Sequence, residues 1–229
     1  MTKHRNNYIL LSAVAASALL VGVTAFSAAS SNDPKTFVVR PPSMTKAPNE
    51  TGFIQLWNVL EPIRSSAGET QNAVQQTVNT EHFEGQFTMV PKDGQQVTAG
   101  GSALTWHAVD TEKYNINLHY FANAYGKSPT SALFWAVTVI DCPKEMEGVR
   151  LAIGSNSASV WWVNGEEVCG IYGNRQTVVD DGVSKRITLK KGRNVIRGAI
   201  INASGAADFC ARILDADGKP LKNYTITIE

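Results

Sequence analysis

The sequence lacks the short motifs that mark the common enzyme classes. It contains no G-x-S-x-G nucleophile elbow, no P-loop, no dinucleotide-binding glycine fingerprint and no H-E-x-x-H zinc motif. The adjacent Glu166 and Glu167 would point to opposite faces of a strand, which does not suit paired catalytic carboxylates. Its histidines are scattered along the chain. We therefore predict no catalytic residues and a protein that is not an enzyme, with a small esterase or hydrolase as the less favoured alternative.

Cysteine is also scarce, with only Cys142, Cys169 and Cys210 in the chain. None forms a C-x-x-C pair and no histidines are closely spaced, so the sequence predicts neither a metal site nor a cofactor. In an exported protein, two of the three could form one disulfide. The alternative is three small, buried apolar side chains, and the spacing does not decide between the two.

An excess of charge of either sign is missing. The full chain has a formal net charge of +1, and removing Lys3 and Arg5 of the first 29 residues leaves 19 bases against 20 acids. A nearly neutral chain without a basic stripe is not built to hold nucleic acid or anionic lipid by charge. We expect no nucleic-acid partner.

No apolar run reaches the ~20 residues that a membrane-spanning helix needs. Basic residues precede the apolar run Ile9–Val23, and small residues follow it. This order predicts a secretory signal peptide over residues 1–29, with an uncleaved anchor as the alternative. Residues 30–51 are rich in proline and predict an extended linker. The mature protein would be periplasmic or extracellular, with no membrane association after cleavage.

What the sequence does contain is a series of short apolar runs separated by turn residues, most clearly from Val149 to Leu214. Asn164-Gly165 lies between two such runs and is the strongest short-range hairpin signal. A second hairpin is predicted to turn at Lys191-Gly192, and a further turn lies within 215–220. This pattern is typical of an all-β fold, and it predicts an antiparallel β-sandwich over residues 52–229.

Earlier segments of the domain fit the same architecture. The run 131–140 is almost wholly apolar and predicts a central strand buried on both faces. Phe53–Leu60 and Leu104–Val109 predict further strands, and Tyr114–Tyr120 alternates as a half-buried strand would. The polar segment 69–83 has apolar residues at helical spacing, so it predicts one short helix near the N-terminal side.

Three sequence patterns resemble those of a known family. They are the turn and strand 154–168, the L-x-x-G-x-N of Leu189–Asn194 and the F-x-A-R-I of Phe209–Ile213. Together they resemble galactose-binding-like β-sandwich modules, the carbohydrate-binding type attached to secreted bacterial glycoside hydrolases and acetylxylan-type esterases. Trp57–Pro62 is similar to the first strand of such modules. The resemblance covers about residues 52–224 and implies a jelly-roll sandwich that binds sugars.

One departure from the family pattern concerns metal binding. Relatives carry an acidic pair in the first turn, where this chain has Asn156 and Ser157, and Ala158 replaces the next glycine. Neutral oxygens bind a hard cation less well than carboxylates do. The resemblance therefore does not extend to a metal at this turn.

Tryptophan residues provide the first candidates for sugar stacking. Along the strand Ala158–Val163, the family pattern places Trp161 in the core and Trp162 on the outer face. An outward tryptophan can stack on the apolar face of a sugar, and packing under a neighbouring loop is the alternative. Trp57 and Trp135 lie in strongly apolar runs and are predicted core residues.

A loop provides the second group of candidates. Tyr172, Asn174 and Arg175 place an aromatic ring, an amide and a guanidinium close together, and loops at sandwich ends often carry binding residues. Trp106 is a further candidate. We therefore predict an exported, non-catalytic carbohydrate-binding-like protein whose partner is a polysaccharide or glycan. The alternative is an envelope protein-interaction or structural module without a sugar site.

Overall fold

The computed structural model of the protein describes residues 45–229. The predicted signal peptide (1–29) and residues 30–44 of the predicted linker lie outside this range. Within it the chain forms fifteen strands and two helices. The strands are β1 (Thr45–Lys46), β2 (Leu56–Leu60), β3 (Ile63–Arg64), β4 (Gln96–Ala99), β5 (Ser102–Asp110), β6 (Ile116–Asn117), β7 (Ala132–Cys142), β8 (Met146–Ser155), β9 (Ala158–Val163), β10 (Glu166–Ile171), β11 (Gly182–Val183), β12 (Ile187–Leu189), β13 (Gly192–Asn202), β14 (Asp208–Leu214) and β15 (Thr225–Thr227), and the helices are α1 (Gln71–Asn79) and α2 (Leu118–Ala124).

The strands form an antiparallel β-sandwich, which confirms the predicted all-β fold class. The larger sheet has the order β10-β9-β13-β7-β2-β5-β4, with β3 and β15 paired to β7 and β1 paired to β15. The smaller sheet has the order β11-β8-β14-β6, with β12 paired to β8. At the centre of the larger sheet, β13 pairs with β7 from Gly192↔Cys142 to Asn202↔Ala132. The predicted central strand at 131–140 is therefore confirmed.

The core between the two sheets is built around three aromatic side chains. The Trp57 ring lies edge-on to Phe209, with centroids 5.2 Å apart, and to Trp161 at 5.9 Å. Both indole nitrogens have partners, since Trp57 Nε1 donates to the Ile54 carbonyl and Trp161 Nε1 to Ser159 Oγ, each at 2.9 Å. Burying such a side chain contributes about 1.5–3 kcal/mol or more. Trp57, Trp135 and Trp161 are buried, as the sequence predicts.

A third layer covers the opposite face of the larger sheet. Helix α1 lies over β9 and buries Val74 and Val78, which confirms a helix within the predicted segment 69–83. The segment after it, residues 80–92, is tied back to the helix by Gln86, whose Nε2 donates to the carbonyls of Val78 and Thr80 at 3.3 and 3.0 Å. The larger sheet is therefore covered on both faces.

One predicted hairpin is confirmed and the other is wrong. Asn164 and Gly165 adopt positive φ angles of 52° and 85° and join β9 to β10, which pair directly. Near Lys191-Gly192 the chain does turn, but β12 pairs with β8 in the smaller sheet whereas β13 enters the larger one. The turn therefore connects the two layers. A pattern of alternating residues predicts strands, but it does not identify the neighbour with which each strand pairs.

The predicted strand Tyr114–Tyr120 is corrected by the second helix. Only Ile116 and Asn117 pair with β14, and α2 begins immediately afterwards. Asn117 caps the helix, because its Oδ1 accepts a hydrogen bond from the Tyr120 backbone N–H at 2.9 Å. The described chain thus has two short helices where the sequence predicts one.

The described domain begins before Gly52. Thr45 and Lys46 pair with Thr227 and Ile226, so the end of the predicted linker forms an edge strand of the larger sheet. Asn49 Oδ1 also accepts hydrogen bonds from the backbone of Thr51 and Phe53. Among residues 45–229, no helix is long and apolar enough to cross a membrane.

Candidate functional site

Trp162, the first candidate for sugar stacking, lies on the outer face of its sheet as predicted, but it is not accessible. Only 6% of the residue is exposed. Its ring stacks on Trp135 with centroids 5.7 Å apart and meets the edge of Phe87 at 6.2 Å. The third layer covers it, so the alternative of packing beneath a neighbouring segment describes Trp162. A stacking platform at this position is therefore excluded in this conformation.

Trp106 is likewise buried rather than presented to a ligand. It is fully buried and lies edge-on to Phe83, with ring centroids 6.1 Å apart. Its Nε1 is buried without a hydrogen-bond partner in the described part of the chain, as is that of Trp135. Both rings therefore pack between the larger sheet and the third layer.

The predicted loop is brought together only in part. Tyr172 packs against the outer layer, and its hydroxyl accepts a hydrogen bond from Gln75 Nε2 of α1 at 2.9 Å. Arg175 forms an ion pair with Asp181. Asn174 is exposed. Tyr172 thus attaches the loop to the helix. None of Tyr172, Asn174 and Arg175 lines either of the two cavities considered below.

The three cysteines are separate thiols in the structure, so the possible disulfide, one of the two alternatives from the sequence, is not formed. Cys142 and Cys210 are buried and Cys169 is partly buried. Burial raises the pKa of each thiol to about 11, which leaves them protonated and unreactive near neutral pH. The alternative of small apolar side chains describes the two buried cysteines.

The turn that carries acidic residues in similar modules has a structural role here. Asn156 Oδ1 accepts hydrogen bonds from the Asp208 backbone N–H at 3.1 Å and from Ser157 Oγ at 3.2 Å. Its oxygen therefore holds the turn to β14. Within residues 45–229, no group of three or more His, Cys, Asp and Glu side chains is placed to hold a metal ion.

A cavity of about 170 Å³ lies where β6 meets α2. We call it the tyrosine groove; it is lined by Val109, Thr111, Lys113, Asn115, Ile116, Asn117, Tyr120 and Phe121. Tyr120 is 42% exposed, and Tyr114, next to the lining residue Asn115, is 44% exposed. These are the two most exposed aromatic side chains in the described chain. Pockets for drug-sized ligands measure ~300–1,000 Å³, so this groove suits one ring of a longer molecule.

The two amides of the tyrosine groove are held in fixed orientations. Asn115 Nδ2 donates to Asp208 Oδ2 at 2.9 Å, and Asn117 Oδ1 is occupied by the helix cap. Within the described residues, Asn115 Oδ1 and Asn117 Nδ2 make no hydrogen bond. The groove therefore offers one acceptor and one donor whose positions need not be ordered when a ligand binds.

Tyr114 is supported from behind. Its ring packs on Phe53, with ring centroids 5.5 Å apart, and the Arg212 guanidinium lies over the Phe53 ring, 5.0 Å from the centroid of that ring. The Lys113 carbonyl accepts a hydrogen bond from Gln55 Nε2 at 2.8 Å. The segment that carries the exposed ring is therefore anchored to the domain.

Helix α2, which carries Tyr120, is attached to the larger sheet by a small group of charged and aromatic side chains. The His107 ring stacks on Tyr125 with centroids 3.6 Å apart. Glu61 lies between two partners, His107 Nε2 at 3.4 Å and Lys127 Nζ at 3.3 Å. Burial lowers the pKa of His107 below 6.5, mainly by desolvation, and raises that of Tyr125 to about 12. This group positions the helix that presents Tyr120.

The other described histidines lie elsewhere. His82 Nε2 lies 2.9 Å from the Thr77 carbonyl oxygen, and His119 Nδ1 is buried with no hydrogen-bond partner among residues 45–229. Within the same residues, no histidine ring is hydrogen-bonded to a serine hydroxyl. The structure thus assigns His107 and His82 to local packing contacts.

A second cavity, of about 340 Å³, lies at the edge of the outer layer. We call it the basic pocket; it is lined by Phe87, Thr88, Asn164, Gly165, Lys190, Arg193, Val195 and Arg197. Three of these residues are basic and none is acidic. Wider cavities of about 700 and 510 Å³ also lie on the described chain. Val178, Val179 and Val183 are exposed apolar side chains on one segment, where the protein-interaction alternative can be examined.

Sequence reasoning missed both cavities. The alternation of Tyr114 and Tyr120 with asparagines predicts that both rings lie on the buried face of a strand. The helix cap at Asn117 reverses that assignment and places Tyr120 at the surface. The signal available in the sequence is Asn117 itself, a preferred N-cap residue; the residues that follow it include His119, Tyr120 and Phe121, which have low helix propensity and so do not predict a helix. Nothing in the sequence brings Phe87 next to Arg197, because these distant segments meet only through the packing of residues 80–92 on the larger sheet.

The chain is a β-sandwich whose larger sheet is covered on its outer face by α1 and residues 80–92. No protein-family model matches the chain, and no curated protein sequence matches it. Among solved structures, it is similar to a β-glucosidase from Kluyveromyces marxianus in complex with glucose, at 19% identity and a TM-score of 0.31. This match covers 48% of the chain and only 14% of the β-glucosidase.

Two further solved structures resemble more of the chain. The PA14 domain of the MpAFP antifreeze protein is 10% identical with a TM-score of 0.39, and the match covers 81% of the chain and 91% of that domain. The GH31 α-xylosidase from Xanthomonas citri is 10% identical with a TM-score of 0.29, over 83% of the chain and 18% of the enzyme. Similarity at this level carries no functional argument, so the function is inferred from the side chains of the chain itself.

Proposed function

We propose that this protein is an exported, non-catalytic glycan-binding β-sandwich, and that the tyrosine groove is its binding site. The observation that carries the proposal is the pairing of exposed aromatic rings with pre-oriented amides. Tyr120 lines the groove together with Asn115 and Asn117 and is 42% exposed, and Tyr114, which precedes Asn115 and is not itself a lining residue, is 44% exposed. The galactose-binding-like resemblance and the signal-peptide pattern are part of the same proposal.

The chemistry of the groove suits a neutral sugar. One face of a pyranose ring presents C–H groups, which pack on an aromatic ring, while its hydroxyls both donate and accept hydrogen bonds. Tyr120 provides the ring, Asn117 Nδ2 a donor and Asn115 Oδ1 an acceptor. Lys113 adds a further polar group to the wall. Each partner type that a sugar requires is therefore present on one short segment.

The family-like motifs support the sandwich rather than the site. In the L-x-x-G-x-N pattern, Asn194 Oδ1 accepts the Lys190 backbone N–H at 2.9 Å, and Asn194 Nδ2 donates to the Lys190 carbonyl at 2.8 Å. This asparagine closes the turn between the two sheets. The resemblance therefore supports the fold, while the proposed ligand class depends on the tyrosine groove.

The experiment is a pull-down of the mature domain, residues 30–229, on insoluble xylan, cellulose, chitin and peptidoglycan, followed by titration with fragments of any polymer that retains it. Tyr120→Ala should weaken binding by about 5–30-fold, corresponding to about 1–2 kcal/mol for an interfacial aromatic anchor. Alanine has the higher helix propensity, so this variant should remain folded.

Two variants serve as controls. Tyr120→Phe keeps the ring and should retain most of the affinity, whereas Arg175→Ala changes the loop that the sequence favours and should have no effect. Retention of wild-type affinity by Tyr120→Ala, together with loss in Arg175→Ala, would place the site on the loop. If wild type binds none of the polymers, the glycan proposal fails and the interaction-module alternative gains weight.

A further inference from the structure

The basic pocket contains a cation that has no counter-ion among residues 45–229. Arg197 lies in the middle of β13, and its cross-strand neighbours are the apolar Val137 and Trp162. The residue is only 4% exposed. Its Nη2 donates to the Met89 carbonyl oxygen at 2.6 Å, but its Nη1 is buried with no hydrogen-bond partner in the described chain. Leaving a buried charge unpaired is strongly unfavourable, so this arrangement calls for an explanation.

Burial alone perturbs this arginine. It lowers the pKa of Arg197 to about 10, and no acidic group offsets the effect. The guanidinium nevertheless stays charged near neutral pH. A planar guanidinium presents its donors as a fork that matches a carboxylate or a sulfate. The unpartnered Nη1 therefore leaves part of an oxyanion-binding fork unused.

The other basic residues add to the same positive field. Arg193 Nη2 pairs with Glu229 Oε1 at 2.7 Å, and Glu229 also lies 3.6 Å from Lys92 Nζ. Lys190 has no ion pair within residues 45–229, and the pocket lining contains no acid. Glu166, which follows the lining residue Gly165, is paired with Lys185. Arg197 and Lys190 therefore remain as lining cations with no ion pair among residues 45–229, which leaves the cavity electropositive.

An aromatic ring stands at the same cavity. Phe87 is 38% exposed, and its ring is fixed by edge contacts to Trp135 at 5.9 Å and Trp162 at 6.2 Å between centroids. On the other side, Asn164 Oδ1 accepts the Val195 backbone N–H at 3.0 Å, which holds the hairpin tip in place. The pocket therefore combines a fixed apolar surface with positive charge.

From this combination we propose that the basic pocket is a second ligand site, for an acidic saccharide. Its carboxylate or sulfate ester would bind the Arg197 guanidinium and the Lys190 ammonium, and its ring would pack on Phe87. No residue lines both this pocket and the tyrosine groove, so the site does not rest on the proposed function above. The competing role for Arg197 is structural, as a tie to the Met89 carbonyl.

Calorimetric titration of the mature protein tests this site with four probes: glucuronate, glucose 6-sulfate, glucose and inorganic sulfate. Wild type should bind at least one of the acidic sugars with saturation, more tightly than glucose or sulfate alone. Arg197→Met should weaken that binding about tenfold or more, because a charge-assisted hydrogen bond is lost. Raising the ionic strength should weaken it as well, since Lys190 is exposed to solvent.

Surface variants keep the test independent of folding. Lys190→Ala should reduce the affinity several-fold, whereas Lys222→Ala removes the same charge from an exposed site outside the pocket and should leave the affinity unchanged. Failure of wild type to bind either acidic sugar would overturn the proposal. So would equal binding by wild type, Arg197→Met and Lys190→Ala. Sulfate binding as tight as that of glucose 6-sulfate would overturn the saccharide assignment.

Discussion

The tyrosine groove and the basic pocket satisfy their polar groups in opposite ways. In the groove, each asparagine already makes one protein hydrogen bond and keeps one group for a ligand. In the pocket, the Arg197 Nη1 is buried and has no partner among the described residues. This difference is why we propose a neutral sugar for the groove, whose free amide groups can bind hydroxyls, and an anionic ligand for the pocket, whose guanidinium lacks a partner.

The two sites also differ in the structure that supports them. The groove lies at the end of the smaller sheet, where a two-residue strand passes into a seven-residue helix. The pocket lies against the central strands of the larger sheet, beneath stacked aromatic rings. A substitution in the support of one site should therefore change binding at that site and leave binding at the other unchanged. The loss of stability should be larger where the substituted side chain is more deeply buried.

The largest effect is expected from Trp162→Ala. Removing a ring that is 94% buried should lower the free energy of unfolding by about 3–5 kcal/mol. Denaturant unfolding measures this loss, and Trp162→Phe should lose less because it keeps part of the contact with Trp135. At temperatures where the variant is folded, its affinity for a neutral glycan should equal that of wild type. A folded variant that had lost this affinity would return the platform to Trp162.

Asn117→Ala should have the next largest effect, this time on the groove. Loss of a helix N-cap costs about 0.5–2 kcal/mol, and the helix that presents Tyr120 should become less well ordered. Thermal unfolding and glycan titration should both detect the change, while binding of an acidic sugar in the basic pocket stays the same.

Asn117→Asp separates the two roles of this side chain. Aspartate also caps helices, so stability should return, but the amide donor is gone and glycan affinity should stay reduced. Full recovery of affinity in Asn117→Asp would show that Asn117 acts only through the helix.

The smallest effect is expected from a change in pH, which should act through His107 on stability and on the helix that carries Tyr120. Because burial lowers the pKa of His107 below 6.5, the unfolded chain takes up this proton at a higher pH than the folded chain does. The free energy of unfolding should therefore be unaffected by His107 above pH 6.5 and should fall as the pH drops through that value and the lower folded-state pKa. Glu61 and Asp93 oppose the shift, and Lys127 reinforces it.

Urea unfolding on both sides of pH 6.5 measures this dependence, with His107→Gln as the control that removes its histidine component. Acidification should also loosen the contact between His107 and Tyr125, so glycan affinity should decrease slightly while the basic pocket is unaffected. Parallel curves for wild type and His107→Gln would show that other groups carry the pH dependence.

The sequence predicts the sandwich because its evidence is local. Asn164-Gly165 needs only positive φ angles to form its turn, and the apolar run 131–140 needs only burial on both faces. Pairing partners are not local, which is why the turn near Gly192 joins two sheets instead of closing a hairpin. Strand patterns in the sequence therefore predict where the strands lie better than they predict which strands pair with each other.

The sites were harder to predict for the same reason. Period two correctly assigns Trp162 to the face opposite Trp161, but it cannot show that a third layer covers that face. Arg197 lies in an apolar strand where its charge has no sequence-local partner, and only the folded sheet shows that its Nη1 has no hydrogen-bond partner among the described residues. Accessibility and charge compensation arise from tertiary packing, so they are the properties that the sequence alone leaves undetermined.

The most direct test of the proposed function is an NMR titration of protein carrying ¹³C-labelled tyrosine rings. The titrant is a neutral oligosaccharide cut from the polymer that retains the domain, and Tyr114→Phe and Tyr120→Phe assign the two signals. We predict that the Tyr120 ring signals shift with saturation, with smaller shifts for Tyr114, while those of Tyr172 do not move. Saturable shifts at Tyr172 with Tyr114 and Tyr120 unchanged would contradict the assignment of the tyrosine groove as the glycan site.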